Sequence, residues 1–409
     1  MKRILSVIGT RPEAIKMAPV IKALADHPGQ VCSIVCVTGQ HRQMLDPVLK
    51  LFSITADCDL NVMRPNQGLS QLTAALFSGL DAAASEFKPD WILAQGDTTS
   101  VMVAALVAYY HRIPFGHVEA GLRTDSLSHP FPEEANRRIA DTLAELMFAP
   151  TAASRLRLLR EGVPEPKIMV TGNTVVDALH SVMALPFDWS HEPLASLPRG
   201  KKWVLITAHR RESFGEPLRE ICRAIGDLAR MFEPDDIHFV YPVHLNPHVQ
   251  QPVIDVLAGL SNVSLLKPLD YQSMVHLMRR SILVMTDSGG IQEEAPSLGV
   301  PVLVLRETTE RPEGIEAGAA RIVGTRRHRI VREAELLLRH PEILAAMVTS
   351  SNPYGDGHAA MRIVSRLLSD GSAPRLFHPA EGRTPSIPHD RGSIARDRRG
   401  GRRAAPCRD

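Results

Sequence analysis

Cysteine is scarce in this chain of 409 residues: there are five, at positions 32, 36, 58, 222 and 407. So few, odd in number and scattered, they exclude a disulfide framework and fit reduced thiols. Cys32 and Cys36 share one face of a Val/Ile-rich strand, which reads as packing, because a metal site wants closer spacing and more ligands. Long apolar runs are also missing. None approaches the roughly 20 residues needed to span a membrane, and no signal-peptide hydrophobic region precedes the strand that opens at Lys2. A cytoplasmic protein is expected. Nor is there a large charge of one sign. The formal net charge is +2, but residues 371–409 hold nine Arg against four acidic residues, so the first 370 residues stand at −3 (+2 less +5). No basic groove for nucleic acid is implied. What is present is ordinary core material, 44% hydrophobic and 22% charged. A chain of this length is expected to divide into two domains, since single cores rarely grow beyond about 250–300 residues.

The chain repeats one pattern: an apolar run, a polar loop, then helical spacing. The sharpest instance is Ser281 to Thr286 followed by Asp287-Ser288-Gly289-Gly290-Ile291-Gln292-Glu293-Glu294. The run reads as a buried parallel strand, Ser-Gly-Gly as a tight turn, and Ile291 onward as a helix with free first amides. Such a corner suits a diphosphate, with Ser288, Gly289 and Gly290 letting the backbone come close and the helix dipole adding positive potential. Glu294 follows about one turn later, where a carboxylate can take both hydroxyls of a ribose. In the amino-terminal half, Arg3 to Ile8 leads into Gly9-Thr10-Arg11-Pro12-Glu13, and Arg11 and Lys16 fall near a strand's carboxyl end, where open α/β sheets bind ligands. This is not a Walker A loop, because the glycine before the lysine and the following Ser/Thr are absent.

Further loops obey the same rule. Val31 to Thr38 precedes the donor-rich Gly39-Gln40-His41-Arg42-Gln43, Trp91 to Ala94 precedes Gln95-Gly96-Asp97-Thr98, and Pro114 to Val118 runs into Glu119. Pro132 precedes a helix opened by Glu133 and Glu134. After an aperiodic stretch between Phe187 and Arg199, Trp203 to Thr207 starts the series again, and His209 takes a place comparable to that of Arg11. The strand His238 to Pro242 leads to His244, and a helix is expected near Gln250 to Leu257. Gly355-Asp356-Gly357-His358-Ala359-Ala360 spells a dinucleotide fingerprint, but Pro353 stands where a strand should, so no nicotinamide site follows. The expected fold is α/β, with two doubly wound Rossmann-like domains facing a central cleft, of the glycosyltransferase-B type. The domains are expected at 1–170 and 171–357. Residues 358–370 should form a helix returning to the first domain, and the Arg/Pro-rich residues 371–409 a disordered tail.

Taken together, the Gly9 to Lys16 segment, Gly96-Asp97-Thr98-Thr99, His117-Val118-Glu119-Ala120-Gly121-Leu122-Arg123, Pro132 to Arg137, His209-Arg210-Arg211-Glu212 and Asp287-Ser288-Gly289-Gly290 resemble the non-hydrolysing UDP-N-acetylglucosamine 2-epimerases. The likeness covers about residues 1–370. It implies reversible interconversion of UDP-GlcNAc and UDP-ManNAc, in which UDP leaves C1 as the C2 proton is removed and re-adds to 2-acetamidoglucal. It implies Asp97, Glu119 and Glu133 around C2, with Asp97 and Glu133 moving protons and Glu119 positioning them, and His209 assisting the leaving oxygen. Arg11, Lys16, Ser288, Gly289 and Gly290 would hold the diphosphate and Glu294 the ribose. Neither a metal nor a cofactor is implied. Some family members are activated by a second substrate molecule, and Gln40, His41, Gln43 and His244 match positions of that site. A homodimer formed through first-domain helices and a role in surface polysaccharide synthesis are further expectations. The rival readings are a retaining UDP-sugar glycosyltransferase, which has no need of three carboxylates opposite the corner, a nucleotide-sugar sensor, and a hydrolysing epimerase.

Overall fold

The computed structural model describes residues 1–39, 42–124, 126–128, 130–348 and 352–369, with the backbone alone for 42–44. The first sheet has seven strands: β1 (Lys2–Ile8), β2 (Val31–Val37), β3 (Cys58–Asp59), β4 (Trp91–Gln95), β5 (Phe115–Val118), β6 (Leu146–Ala149) and β7 (Ile168–Val170). Their spatial order is β3-β2-β1-β4-β5-β6-β7. The second has six: β8 (Lys202–Thr207), β9 (Ile237–Pro242), β10 (Val263–Leu266), β11 (Ser281–Thr286), β12 (Val302–Val304) and β13 (Ala320–Ile322), ordered β10-β9-β8-β11-β12-β13. Every pairing is parallel. The central strands carry apolar side chains on both faces because helices cover both: Ile4, Leu5, Val7 and Ile8 of β1 and Ile92, Leu93 and Ala94 of β4 are all buried. This is the two-domain α/β architecture that the alternating pattern predicts.

Both sheets reverse direction once. From β1 the chain winds outward to β3, then returns to the other side of β1 to form β4; β8 and β11 flank the equivalent point in the second sheet. Loops leaving the two central strands therefore part in opposite directions and open a crevice at their carboxyl ends. In the first sheet these loops are Gly9-Thr10 and Gly96-Asp97-Thr98, and in the second Ala208-His209-Arg210 and Asp287-Ser288.

Two helices cross between the halves. Thr174–Met183 leads out and Ala359–Leu368 comes back, where Lys2 Nζ donates to the Leu367 carbonyl at 2.8 Å. Asp177 accepts from the amides of Ala359 (3.2 Å) and Ala360 (2.9 Å), filling the vacant first-turn donors of the returning helix. One apolar cluster joins Met17, Val20 and Leu24 of the helix Arg11–Ala25 to Leu179 and Val182, to Ile363 and Leu367, and to Val275 and Ala295 of the second half. Truncating Leu179 to alanine there should cost about 2–5 kcal/mol. One helix boundary differs from expectation: the helix ending at Leu257 begins at Pro247. Asn246 caps it by accepting from the His248 amide at 2.9 Å, and Pro247 fits a first-turn position that needs no N–H.

Candidate active site

The corner after β11 is built as an anion pocket. Ser288 is the N-cap of the helix Gly289–Ser297, and its side chain makes no capping bond. A methyl group on Gly289 would stand 3.0 Å from Glu310 Oε1, 3.3 Å from Arg311 Cζ and 3.4 Å from Arg210 Nη2, so glycine keeps that space open. Arg306 (2.7 Å), Arg311 (2.9 Å) and Arg210 (3.3 Å) surround the Glu310 carboxylate. Burial alone would raise Glu310, yet these three guanidinium groups hold it down at about 2. Asp287 is buried and accepts from the amides of His209 and Arg210, both at 2.9 Å, which locks the loop after β8 onto the loop after β11. The His209 ring is exposed at the cleft and stacks on His244, with centroids 5.2 Å apart and planes at 17°. Burial, followed by the nearby His244, Arg210 and Arg11 charges, lowers its pKa against the pull of Asp287. Glu294, one turn into the helix, is pushed up to about 8 by burial and by the Glu293 charge.

Three carboxylates stand at the loops of the first sheet. Glu119 follows β5 in a left-handed conformation (φ 67°), a strain of order 1–3 kcal/mol that its bonds must offset. Its side chain accepts from Lys16 Nζ, Gln95 Nε2 and, at 3.2 Å, Asn173 Nδ2. Asp97 pairs with Arg137, which also donates to Glu134 at 3.0 Å, and the Asp97 carbonyl accepts from Asn136 Nδ2 at 3.0 Å. Glu133 opens the helix Glu133–Leu143, and its Oε2 is buried without a hydrogen-bond partner. Gln95 Oε1, Arg137 Nε and Asp287 Oδ1 are likewise buried without a hydrogen bond, Asp287 Oδ1 lying 3.6 Å from His209 Nδ1. Such groups are rare in a complete interior; these four line the crevice, while others among the described residues, such as Ser33 Oγ and Arg157 Nη1, lie elsewhere.

Two further groups brace these loops. Glu13 accepts from the amides of Gly9 (2.5 Å) and Thr10 (3.3 Å), and burial raises it to about 7 despite those bonds. His117 Nδ1 meets Asp141 at 2.6 Å and Nε2 meets the Gly96 carbonyl at 2.7 Å. Both ring nitrogens thus face acceptors, and although burial disfavours the imidazolium, Asp141 outweighs it and raises the His117 pKa. The Gly96 carbonyl held in this way immediately precedes Asp97.

Lys16 sits between the two halves. It is buried, with Nζ on Glu119 and 3.4 Å from Glu293, away from open solvent at the corner. Burial pulls its pKa down, but Glu119 and Glu293 overcome this and raise it. Arg11 is exposed and lines, with Val48, Phe187, Leu269 and Tyr271, a cavity of about 790 Å³ between the halves. Gln40 and His41 lie outside the described residues, and so does the side chain of Gln43, whose backbone belongs to the helix Arg42–Leu51. Residues the pattern did not single out include Arg137, Asn173, Glu293 and Arg311. Arg311 had a signal: it sits in the charged run after β12, another carboxyl-end loop. Asn173 had none.

Two doubly wound domains with facing switch points, an anion corner in one and clustered carboxylates in the other, define the glycosyltransferase-B class of nucleotide-sugar proteins. The UDP-N-acetylglucosamine 2-epimerase family model matches residues 22–368. The UDP-N-acetylglucosamine 2-epimerase of Escherichia coli K12 is 52% identical over 374 residues, 90% of this chain and 99% of that protein. The crystal structure of UDP-GlcNAc 2-epimerase from Neisseria meningitidis, bound to UDP-GlcNAc, is 48% identical with a TM-score of 0.84, covering 90% of this chain and 99% of that one. An S. aureus protein solved together with UDP is 41% identical with a TM-score of 0.83, covering 92% and 100%. The chain belongs to the UDP-N-acetylglucosamine 2-epimerase family. It is an isomerase, and the transferase reading gives way to the epimerase one.

Proposed function

We propose that the cleft epimerises UDP-GlcNAc at C2 by eliminating and re-adding UDP. The diphosphate rests on the first amides of the helix Gly289–Ser297, between Ser288, Gly290, Arg11 and the ring of arginines. Glu294 takes the ribose hydroxyls, and the cavity beside Arg11 and Tyr271 takes the base. The C1–O bond breaks with its electron pair going to UDP, while one carboxylate removes the C2 proton and a C1–C2 double bond forms. UDP oxygen then returns to C1 as a second carboxylate delivers a proton to the opposite face of C2. Asp97 and Glu133 handle these protons, Glu119 positions them, and His209 donates toward the departing oxygen. Lys16, with Nζ on Glu119 and 3.4 Å from Glu293 of the corner helix, adds its positive charge beside the diphosphate.

The observation that carries this reading is the set of three carboxylates, Asp97, Glu119 and Glu133, contributed by the first half beyond its strands' carboxyl ends, with a phosphate corner at the switch point of the second sheet. Proton NMR of the purified protein with UDP-GlcNAc in deuterated water tests it. UDP-ManNAc carrying deuterium at C2 is expected. Product that keeps its C2 proton would overturn exchange through solvent-linked carboxylates, and free UDP without UDP-ManNAc would overturn epimerisation. The product serves as a ManNAc donor precursor for surface polysaccharide in the cytoplasm. Tyr109 and Tyr110, exposed beside Phe77, offer an aromatic face for a homodimer, which sedimentation equilibrium would detect. His244, stacked on His209, is placed to sense a second substrate molecule, and a hyperbolic rate curve would argue against that role.

A further inference from the structure

We propose that Asn173 is a positioning residue that ties Glu119 to the diphosphate-bearing helix of the opposite domain, an inference that rests on the epimerase reading above. Asn173 precedes the outgoing crossover helix and is 3% exposed. Its Oδ1 accepts from the Val175 amide at 3.0 Å and caps that helix. This sets the direction of the amide, because a flipped group would turn an oxygen lone pair toward two carboxylates. Nδ2 instead donates to Glu119 Oε1 at 3.2 Å and to Glu293 Oε2 at 3.1 Å. Glu119 comes from the first domain and Glu293 from the helix Gly289–Ser297 of the second.

Lys16 Nζ contacts the same two oxygens, so two carboxylates from two domains share two donors. Arg311 Nε completes the group at 2.8 Å from the other oxygen of Glu293. The place is mechanically apt. The Asn173 amide nitrogen donates to the Tyr354 carbonyl at 2.6 Å, and a methyl on Gly172 would lie 3.3 Å from Gly355 Cα, so the outgoing and returning chain segments meet here. Any shift of the helix that carries the diphosphate corner moves Glu293 relative to Asn173 and Lys16, and thereby changes the donors left for Glu119. Glu119 keeps its strained orientation only while that helix is seated. Proton transfer at C2 is thus coupled to the seating of the helix that carries the diphosphate corner.

Asn173→Ser separates the two duties of the side chain, since serine still offers a capping oxygen but has a single O–H on a shorter arm, which cannot bridge both carboxylates. Asn173→Asp keeps the shape and sets a third carboxylate against Glu119 and Glu293. For Asn173→Ser, kcat should fall about ten-fold or more while KM for UDP-GlcNAc stays within about three-fold, the mark of an interaction felt in the transition state. Deuterium incorporation at C2 should fall in step with kcat, and Asn173→Asp should be slower still. Rates are compared at a temperature where circular dichroism shows both variants folded, and if the Asp variant does not fold, Asn173→Ser decides alone. Unchanged kcat in Asn173→Ser, or a loss confined to KM and Tm, overturns the inference. Wild-type protein is the control: if it makes no UDP-ManNAc, the epimerase reading falls and takes this inference with it, whereas active wild type beside a fully active Asn173→Ser removes this inference alone.

Discussion

Replacing Glu294 by glutamine removes a carboxyl that burial, with Glu293 alongside, pushes from 4.5 up to about 8. In the unfolded chain the group returns to its ordinary value. Between those two values the folded protein holds one proton more than the unfolded chain, so the free energy of unfolding declines as pH rises. The penalty is absent below the unfolded value and complete above the folded one. A gap of three to four pH units corresponds to roughly 5 kcal/mol for a single group, with Lys16 and Arg11 already counted against it. Glutamine keeps the size and stays neutral. Wild type and Glu294→Gln should therefore melt within about 1 °C of each other at pH 5, and the variant should melt about 5 °C higher at pH 9 for a protein of this length. Thermal unfolding without nucleotide, at pH 5, 7 and 9, reads the difference directly. Glu13, also raised, is present in both proteins and cancels. Parallel pH curves for the two proteins would refute the burial argument. Because the same carboxyl is proposed to hold the ribose, the stabilised variant should also show KM for UDP-GlcNAc raised by about ten-fold, the worth of one good hydrogen bond to substrate.

Other expectations follow from single contacts. Asp97→Asn and Glu133→Gln should each lower kcat by about 100-fold or more with little change in UDP binding, read by steady-state kinetics and calorimetry; near-normal kcat in either would remove that residue from proton transfer. Gly289→Ala brings a methyl to 3.0 Å from Glu310 and into the corner, so Kd for UDP should rise by at least about ten-fold while the fold survives; unchanged Kd would place the diphosphate elsewhere. Gly121→Ala is a stability test. At φ 83° the added carbon would lie 2.5 Å from the Ser154 carbonyl oxygen and 2.9 Å from Leu158 Cγ, so denaturant unfolding should show a loss of about 3 kcal/mol or more.

The order of elements, the doubly wound class and the family follow from local chemistry. Buried parallel strands must be apolar along their whole length, as in Trp91 to Ala94, and the loops at their carboxyl ends are the polar breaks between apolar strand and amphipathic helix. Asp97, Glu119, His209 and Ser288 could therefore be picked out from a one-dimensional pattern. Where those side chains point is another matter. A lysine near the start of a helix after β1 suits a phosphate as well as a carboxylate, and only the packing of the helix Arg11–Ala25 between the halves brings Lys16 Nζ to Glu119 and Glu293. Arg137 shows a local partner in Glu134, three residues away, while its contact with Asp97 spans 40 residues. Asn173 carries no local mark of a site, and becomes a bridge because two crossovers meet beside it. Helix and strand periods are set by neighbours in sequence, so the chain by itself determined its elements and its membership. Electrostatic partners are set by distance in space across low-dielectric interiors, so the tertiary structure alone decided which charges share a site and which of them are raised or lowered.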